Sequence, residues 1–195
     1  MCGLYGAIGT SGSQAWEVTQ LAGTRGPHAW GYWLNGEVKH YLTKIPDYPH
    51  HPLSWPSSIS VLIGHARLNT TGCFLNPAAS QPLEAQGLWL THNGTVPDYP
   101  MHAISDSAWL AQEIRQASGT LAQRLNAVLL THLPDTHPYA IVIWNEVEIV
   151  LQRRRLPLWI EQKEAQWRWC SRKFGEARAL EEDRPLTINW PQKGA

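Results

Sequence analysis

MCGLYGAIG, residues 1–9, sets a cysteine at the second position, glycines at 3, 6 and 9, and an apolar run between them. Leu4 to Ile8 reads as a short buried strand bracketed by glycines. Chain termini are usually frayed and exposed, so an ordinary core cysteine gains little packing at Cys2. The stretch poses a choice between an inert thiol and a nucleophile.

Composition bounds that choice. The 195 residues suffice for one sizeable core and are few for two, so residues 1–195 are expected to form a single domain. Hydrophobic residues make up 43% and charged residues 16%, which excludes a disordered, highly charged chain and fits extensive β-structure. A formal net charge of zero gives no electrostatic footprint for direct nucleic-acid binding. Cys2, Cys73 and Cys170 are odd in number and far apart, which favours a reducing compartment, the cytoplasm by default, over a disulfide framework. No apolar run approaches the roughly 20 residues that span a bilayer, and no secretion signal is visible, so no membrane partner is expected and the N-x-[ST] matches at Asn69 and Asn93 carry little weight.

The nine histidines show no C-x-x-C, H-E-x-x-H or other metal-ligand spacing, and His50-His51 reads as a solvated pair between prolines. GLYGAIGTSG lacks a P-loop lysine and the downstream acidic residue of a dinucleotide fold. No metal and no cofactor are expected.

Ser11 or Ser13 offers an N-cap for a helix over SGSQAWEVTQLAG, with Gly23 as its stop. Asn35-Gly36 suits a type I′ turn between two aromatic and β-branched runs. Residues 45 to 58 carry four prolines and read as an irregular loop that could lie over a cleft. SISVLIGHARL and GLWLTHNG read as strands ending in polar motifs. SDSAWLAQEIRQASG and TLAQRLNAVLLTHL follow as two helices, the second with Leu121, Leu125, Val128 and Leu129 on one face. YAIVIWN, VEIVLQ, PLWIE and QWRWCS are further strands, and a short helix is expected around FGEARALEE. Strands clustered at both ends with helices between imply a layered α+β arrangement.

Four short polar motifs each end a predicted element: MCG, GHARLNTTG at 64–72, THNGT at 91–95 and SDS at 105–107. With RGPHAWG at 25–31, they resemble in content and order the class II glutamine amidotransferase domain of the N-terminal-nucleophile (Ntn) hydrolases. A late RRRLPLW strand and the serine of CSRKFGEA extend the resemblance over most of the chain. It implies a four-layer αββα sandwich of two mainly antiparallel sheets, and a glutaminase.

In the mechanism the resemblance implies, Met1 is removed and the Cys2 thiol acquires its own α-amino group as base, with a reference pKa of about 7.7 to 8.0. Cys2 then attacks the glutamine side-chain amide and forms a γ-glutamyl thioester. Asn93 and the Gly94 backbone N–H would form the oxyanion hole. Arg67 would hold the α-carboxylate of the substrate, Asp106 its α-ammonium, and Thr70 would add a hydroxyl contact. Leu68, Thr71 and Ser107-Ala108 depart from common family residues and leave the branch open. The family usually fuses this domain to a synthase; a chain ending near residue 195 is expected to supply ammonia to a separate acceptor or synthase polypeptide, docked near the 45–58 loop.

Two other readings stay open: a self-contained Ntn amidohydrolase cleaving other γ-glutamyl amides, and a catalytically silent glutamine-binding subunit. His65 and His92 are expected in the core or behind the site. Arg153 to Arg155 read as a solvated basic run, with one of them packing near the site as the alternative; most of the eleven tryptophans are expected to line the core between sheets and helices, with Trp30, Trp33 and Trp55 as candidates for a partner or tunnel surface.

Overall fold

Side-chain alternation along the first strand sets the layering. In β1 (Gly3–Ser11), Leu4 and Ile8 face one side and Tyr5 and Ala7 the other, and all four are buried, so the strand needs cover on both faces. The computed structural model, which describes residues 1–46, 55–68 and 77–190, supplies that cover.

β1 pairs antiparallel with β4 (Ser58–Arg67) on one edge and β10 (Gln166–Cys170) on the other. β2 (Ala29–Leu34) and β3 (Glu37–Tyr41) continue the sheet beyond β4, and β9 (Trp159–Lys163) and β11 (Arg178–Ala179) continue it beyond β10. A second antiparallel sheet runs in the order β12 (Leu186–Asn189), β8 (Glu148–Arg154), β7 (Tyr139–Trp144), β6 (Leu88–Gly94) and β5 (Leu83–Ala85). Between the sheets, Leu4, Ile8, Ile63 and Trp169 pack against Val142, Trp144 and Leu151. On the outer face of the first sheet, α1 (Gly12–Gly23) buries Ala15, Trp16, Val18 and Ala22 against Tyr5, Ala7 and Leu62. On the outer face of the second, α2 (Asp106–Gln116) and α3 (Leu121–His132) bury Leu110, Ile114, Leu125 and Leu129 against Tyr139, Ile141 and Ile143. The result is the expected four-layer αββα sandwich. All six residues of YAIVIW are buried, because β7 is covered by helices on one face and the other sheet on the other.

Local chemistry explains the element ends. Ser11, not Ser13, caps α1, in a reciprocal capping box with Gln14. Ser105 caps α2, and Thr120 caps α3 with Gln123. Asn35 and Gly36 both take positive φ, 49° and 104°, as a type I′ turn requires, and join β2 to β3.

Two expectations are corrected. FGEARALEE forms no helix: the Ala177 N–H closes a turn on the Phe174 carbonyl, Arg178–Ala179 pairs with β9, and the Leu180 N–H bonds the Leu158 carbonyl. Sheet-edge hydrogen bonds override a helix propensity worth only tenths of a kcal/mol per residue. Arg153 and Arg154 are not solvated; Arg153 pairs with Glu182 at 2.9 Å and the buried Arg154 with Asp183 at 2.7 Å. The tryptophans pack in and around the core as expected: Trp30 is buried and stacked on Tyr41, Trp33 meets Trp144 and Trp190 edge-on, and Trp55 lies near Trp16 and Tyr32. Most of the 45–58 loop and its proposed docking role lie outside the described residues, as do Thr70 and Cys73.

Candidate active site

Strand parity brings the candidate residues to one end of the sandwich. Cys2 precedes β1 in the same phase as Leu4 and Ile8, which face the second sheet. Arg67 ends β4 in the phase of Ile63, and the pairing of Gly3 with Ala66 puts Cys2 and Arg67 at the same end of adjacent strands. Asn93 stands near the end of β6 in the phase of Trp89, which packs into the layer between the sheets, and β6 lies across that layer from β1 and β4.

The nucleophile candidate is held by backbone. The Leu68 N–H donates to Cys2 Sγ at 3.4 Å, and the thiol in turn faces the Leu68 carbonyl at 3.6 Å. Arg25 Nε donates to the Cys2 carbonyl at 3.1 Å and its Nη1 to the Ser171 carbonyl at 3.2 Å. Ser171 clips the start of β1 from the other side: its N–H donates to the Leu4 carbonyl, and its Oγ accepts the Leu4 N–H, both at 2.9 Å. Gly26 is obligatory beside Arg25, since a Cβ there would stand 2.1 Å from the Ala66 carbonyl oxygen. Burial pushes the Cys2 thiol up, opposed by the Leu68 hydrogen bond, the chain's amino terminus, Arg67 and Arg25. The resting group is therefore a thiol, and attack needs a base.

Across the layer, Asn93 is buried and its Nδ2 meets no acceptor among the described residues. A buried donor without a partner costs about 1–3 kcal/mol, so such a donor at this end of the sandwich suits a group kept for a ligand oxygen. Gly94 follows at φ +147°, with His92 Nε2 only 2.6 Å from where a Cβ would lie, so no larger residue fits and its backbone stays exposed. Asp106 opens α2; its Oδ2 accepts the Val96 N–H at 2.9 Å and its Oδ1 the Ser107 N–H at 2.7 Å. Oδ1 also faces the Ser107 hydroxyl at 3.3 Å, while Oδ2, with the Val96 N–H as its one partner among the described residues, keeps a further lone pair for a cationic donor. The structure thus brings Cys2, Arg67, Asn93 and Gly94 to one end, with Asp106 tied to the segment that leaves Gly94. Among the described residues, no cluster of three or more His, Cys, Asp or Glu side chains could hold a metal ion, and no helix is long and apolar enough to cross a membrane.

His65 lies behind these residues, fully buried, and both ring nitrogens lack a hydrogen bond of normal geometry among the described residues. Burial, helped by nearby His92 and Arg67, pushes its pKa down to about 3. The folded chain keeps His65 neutral while the unfolded chain protonates near 6.5, so stability is full above about pH 6.5 and falls as pH drops from there toward 3. Each pH unit within that window is worth about 1.4 kcal/mol for this group. Urea unfolding at pH 6 and pH 4 is expected to show a loss of at least about 2 kcal/mol. His65→Gln should flatten the slope by about one proton, and an unchanged slope would count against a neutral, buried His65.

Arg25 and Ser171 sit in segments with family-like order, but nothing local in the sequence tells that they clamp the first strand; their partners lie 23 and 167 residues away. Gln81 carries no signal in the sequence.

No family model matches the chain, and no curated protein matches it by sequence. Solved structures do. Glutamine phosphoribosylpyrophosphate amidotransferase from B. subtilis superposes with a TM-score of 0.69 at 20% identity, over 96% of this chain and 47% of that one. A glutamine aminotransferase class-II domain protein from Silicibacter pomeroyi gives 0.56 at 15% identity over 96% and 94%. A predicted glutamine amidotransferase from Pseudomonas aeruginosa gives 0.57 at 13% over 97% and 96%. The chain spans about half the length of the first and nearly all of the other two. Its fold is that of the class II glutamine amidotransferase domain, the Ntn-hydrolase sandwich.

Proposed function

We propose that residues 1–195 act as one glutaminase domain. Removal of Met1 exposes Cys2 as the first residue, and its α-amine takes the thiol proton as sulfur bonds to the side-chain carbonyl carbon of glutamine. The oxyanion is received by Asn93 Nδ2 and the Gly94 N–H. The ammonium formed at the N-terminus returns its proton to the departing nitrogen, the C–N bond breaks, and ammonia leaves a γ-glutamyl thioester. Water then releases glutamate and restores the thiol. Arg67 holds the α-carboxylate and Asp106 the α-ammonium, with Thr70 as an added hydroxyl contact. The ammonia passes to a separate acceptor or synthase polypeptide in the cytoplasm.

The observation that carries this reading is the buried, acceptor-free Asn93 amide next to Gly94, at the same sandwich end as Cys2 and Arg67. The test is release of ammonia and glutamate from L-glutamine by the purified chain, beside glutamine methyl ester and N-acetylglutamine, which lack one charged handle each. Turnover of L-glutamine, with both analogues reduced about 100-fold or more, is expected from the loss of about 3 kcal/mol of charge-assisted hydrogen bonding. Thermal stabilisation by glutamine without ammonia would point to the silent binding subunit. Faster turnover of another γ-glutamyl amide would point to the self-contained amidohydrolase.

A further inference from the structure

β5 and β6 pair as Leu83 with Leu90 and Ala85 with Leu88, so the same register would set residue 81 opposite His92. His92 directs its N–H and carbonyl to that edge, because its neighbours Thr91 and Asn93 pair toward β7. The backbone of residue 81 does not fill the place; the side chain of Gln81 does. Its Oε1 accepts the His92 N–H at 2.5 Å and its Nε2 donates to the His92 carbonyl at 3.1 Å, so a primary amide imitates a strand neighbour. Nε2 also reaches Ser107 Oγ at 3.3 Å. That hydroxyl lies 3.0 Å from His92 Nδ1 and 3.3 Å from Asp106 Oδ1. Gln81 is itself buried.

This one side chain therefore joins two loaded elements. One is the end of β6, where His92 leads into Asn93 and Gly94, and His92 Nε2 lies under Gly94. The other is the first turn of α2, which presents Asp106. We propose that Gln81 is a positioning residue that sets the distance between the oxyanion donors and the carboxylate for the substrate ammonium; this rests on the glutaminase reading. Glutamine has a fixed separation between its side-chain amide and its α-ammonium, so a joint spanning the two receiving groups bears on how the amide is aligned for attack, more than on whether the amino acid is held. Gln81→Glu is the discriminating variant: a carboxylate still accepts the His92 N–H, but it offers no donor to the His92 carbonyl or Ser107, and it adds a negative charge near Asp106.

The experiment combines three measurements on the full chain, with wild type, Gln81→Ala and Gln81→Glu. Hydrogen exchange at residues 92 to 96 reads the joint without any reference to activity, and protection there is expected to fall at least 10-fold in both variants while β7 stays protected. Iodoacetamide alkylation of Cys2, which needs only the thiol, is expected to be unchanged. Ammonia release is expected to lose about 30-fold or more in kcat with KM changed less than 3-fold. Unchanged exchange protection, or kcat within 3-fold of wild type in an active enzyme, overturns the proposal, as does an equal fall in alkylation, which would mean general disruption. If wild type releases no ammonia, the glutaminase reading fails, and the catalytic role assigned to Gln81 fails with it; local exchange alone then decides whether the joint exists.

Discussion

Cys2→Ala is expected to bring ammonia release from glutamine down to background, a loss on the order of 10⁴-fold or more, since removal of a covalent nucleophile takes away the whole acylation route. The variant should fold. Cys2 is half-buried, its sulfur hydrogen-bonds the Leu68 backbone among the described residues, and the clamps from Arg25 and Ser171 act on main-chain atoms of Cys2 and Leu4 that alanine retains. Thermal unfolding within a few degrees of wild type, together with lost turnover, is the pattern that separates chemistry from structure. Cys2→Ser should also fail, because burial that already raises the thiol acts on a hydroxyl that is far less acidic to begin with.

Asn93→Ala carries the second large effect, and here activity and stability should move apart. Loss of one oxyanion donor typically lowers kcat by about 10²- to 10³-fold. Yet the donor removed has no acceptor among the described residues, so its removal relieves a buried unsatisfied group, and stability is expected to hold or rise, in the range of 0 to about 2 kcal/mol. A structural asparagine would show the reverse, with destabilisation and little kinetic change. Parallel denaturant unfolding and steady-state kinetics distinguish the two. Asn93→Asp should be worse still, since a carboxylate would face the developing oxyanion.

Several parts of this molecule were legible in the residues alone. YAIVIW, apolar without alternation, belongs to a strand covered on both faces, Asn35-Gly36 acts through its own positive-φ torsions, and Ser105 and Thr120 act through contacts within three residues of themselves. The candidate residues Cys2, Arg67, Asn93, Gly94 and Asp106 rest on the order of short motifs at element ends, and strand pairing carries Cys2 and Arg67 to the same end of adjacent strands. What was not legible depends on partners distant in the chain. FGEARALEE has helical propensity, but the carbonyl of Leu158 takes the Leu180 N–H and β9 takes Arg178–Ala179. Arg153 and Arg154 look like a solvated run until Glu182 and Asp183 fold back beside them. Ser171 and Gln81 act on backbone atoms of Leu4 and His92, and a hydrogen bond to backbone leaves no complementary residue type to find in the sequence.

The base of the proposed mechanism adds a pH signature. The thiol is held high by burial, so the α-amine of Cys2 decides when attack begins, and kcat/KM for glutamine should climb with pH until the amine is neutral, near its reference range of about 7.7 to 8.0.

The central claim is that Cys2, as the first residue, carries the acyl group of glutamine. Mass analysis of the N-terminal peptide after acid quench of the chain turning over L-glutamine tests it most directly. A peptide that starts at Cys2 and bears a γ-glutamyl group, removed by hydroxylamine, is the predicted result; a peptide that keeps Met1, or an unmodified Cys2 peptide while the adduct appears on another residue, would contradict it.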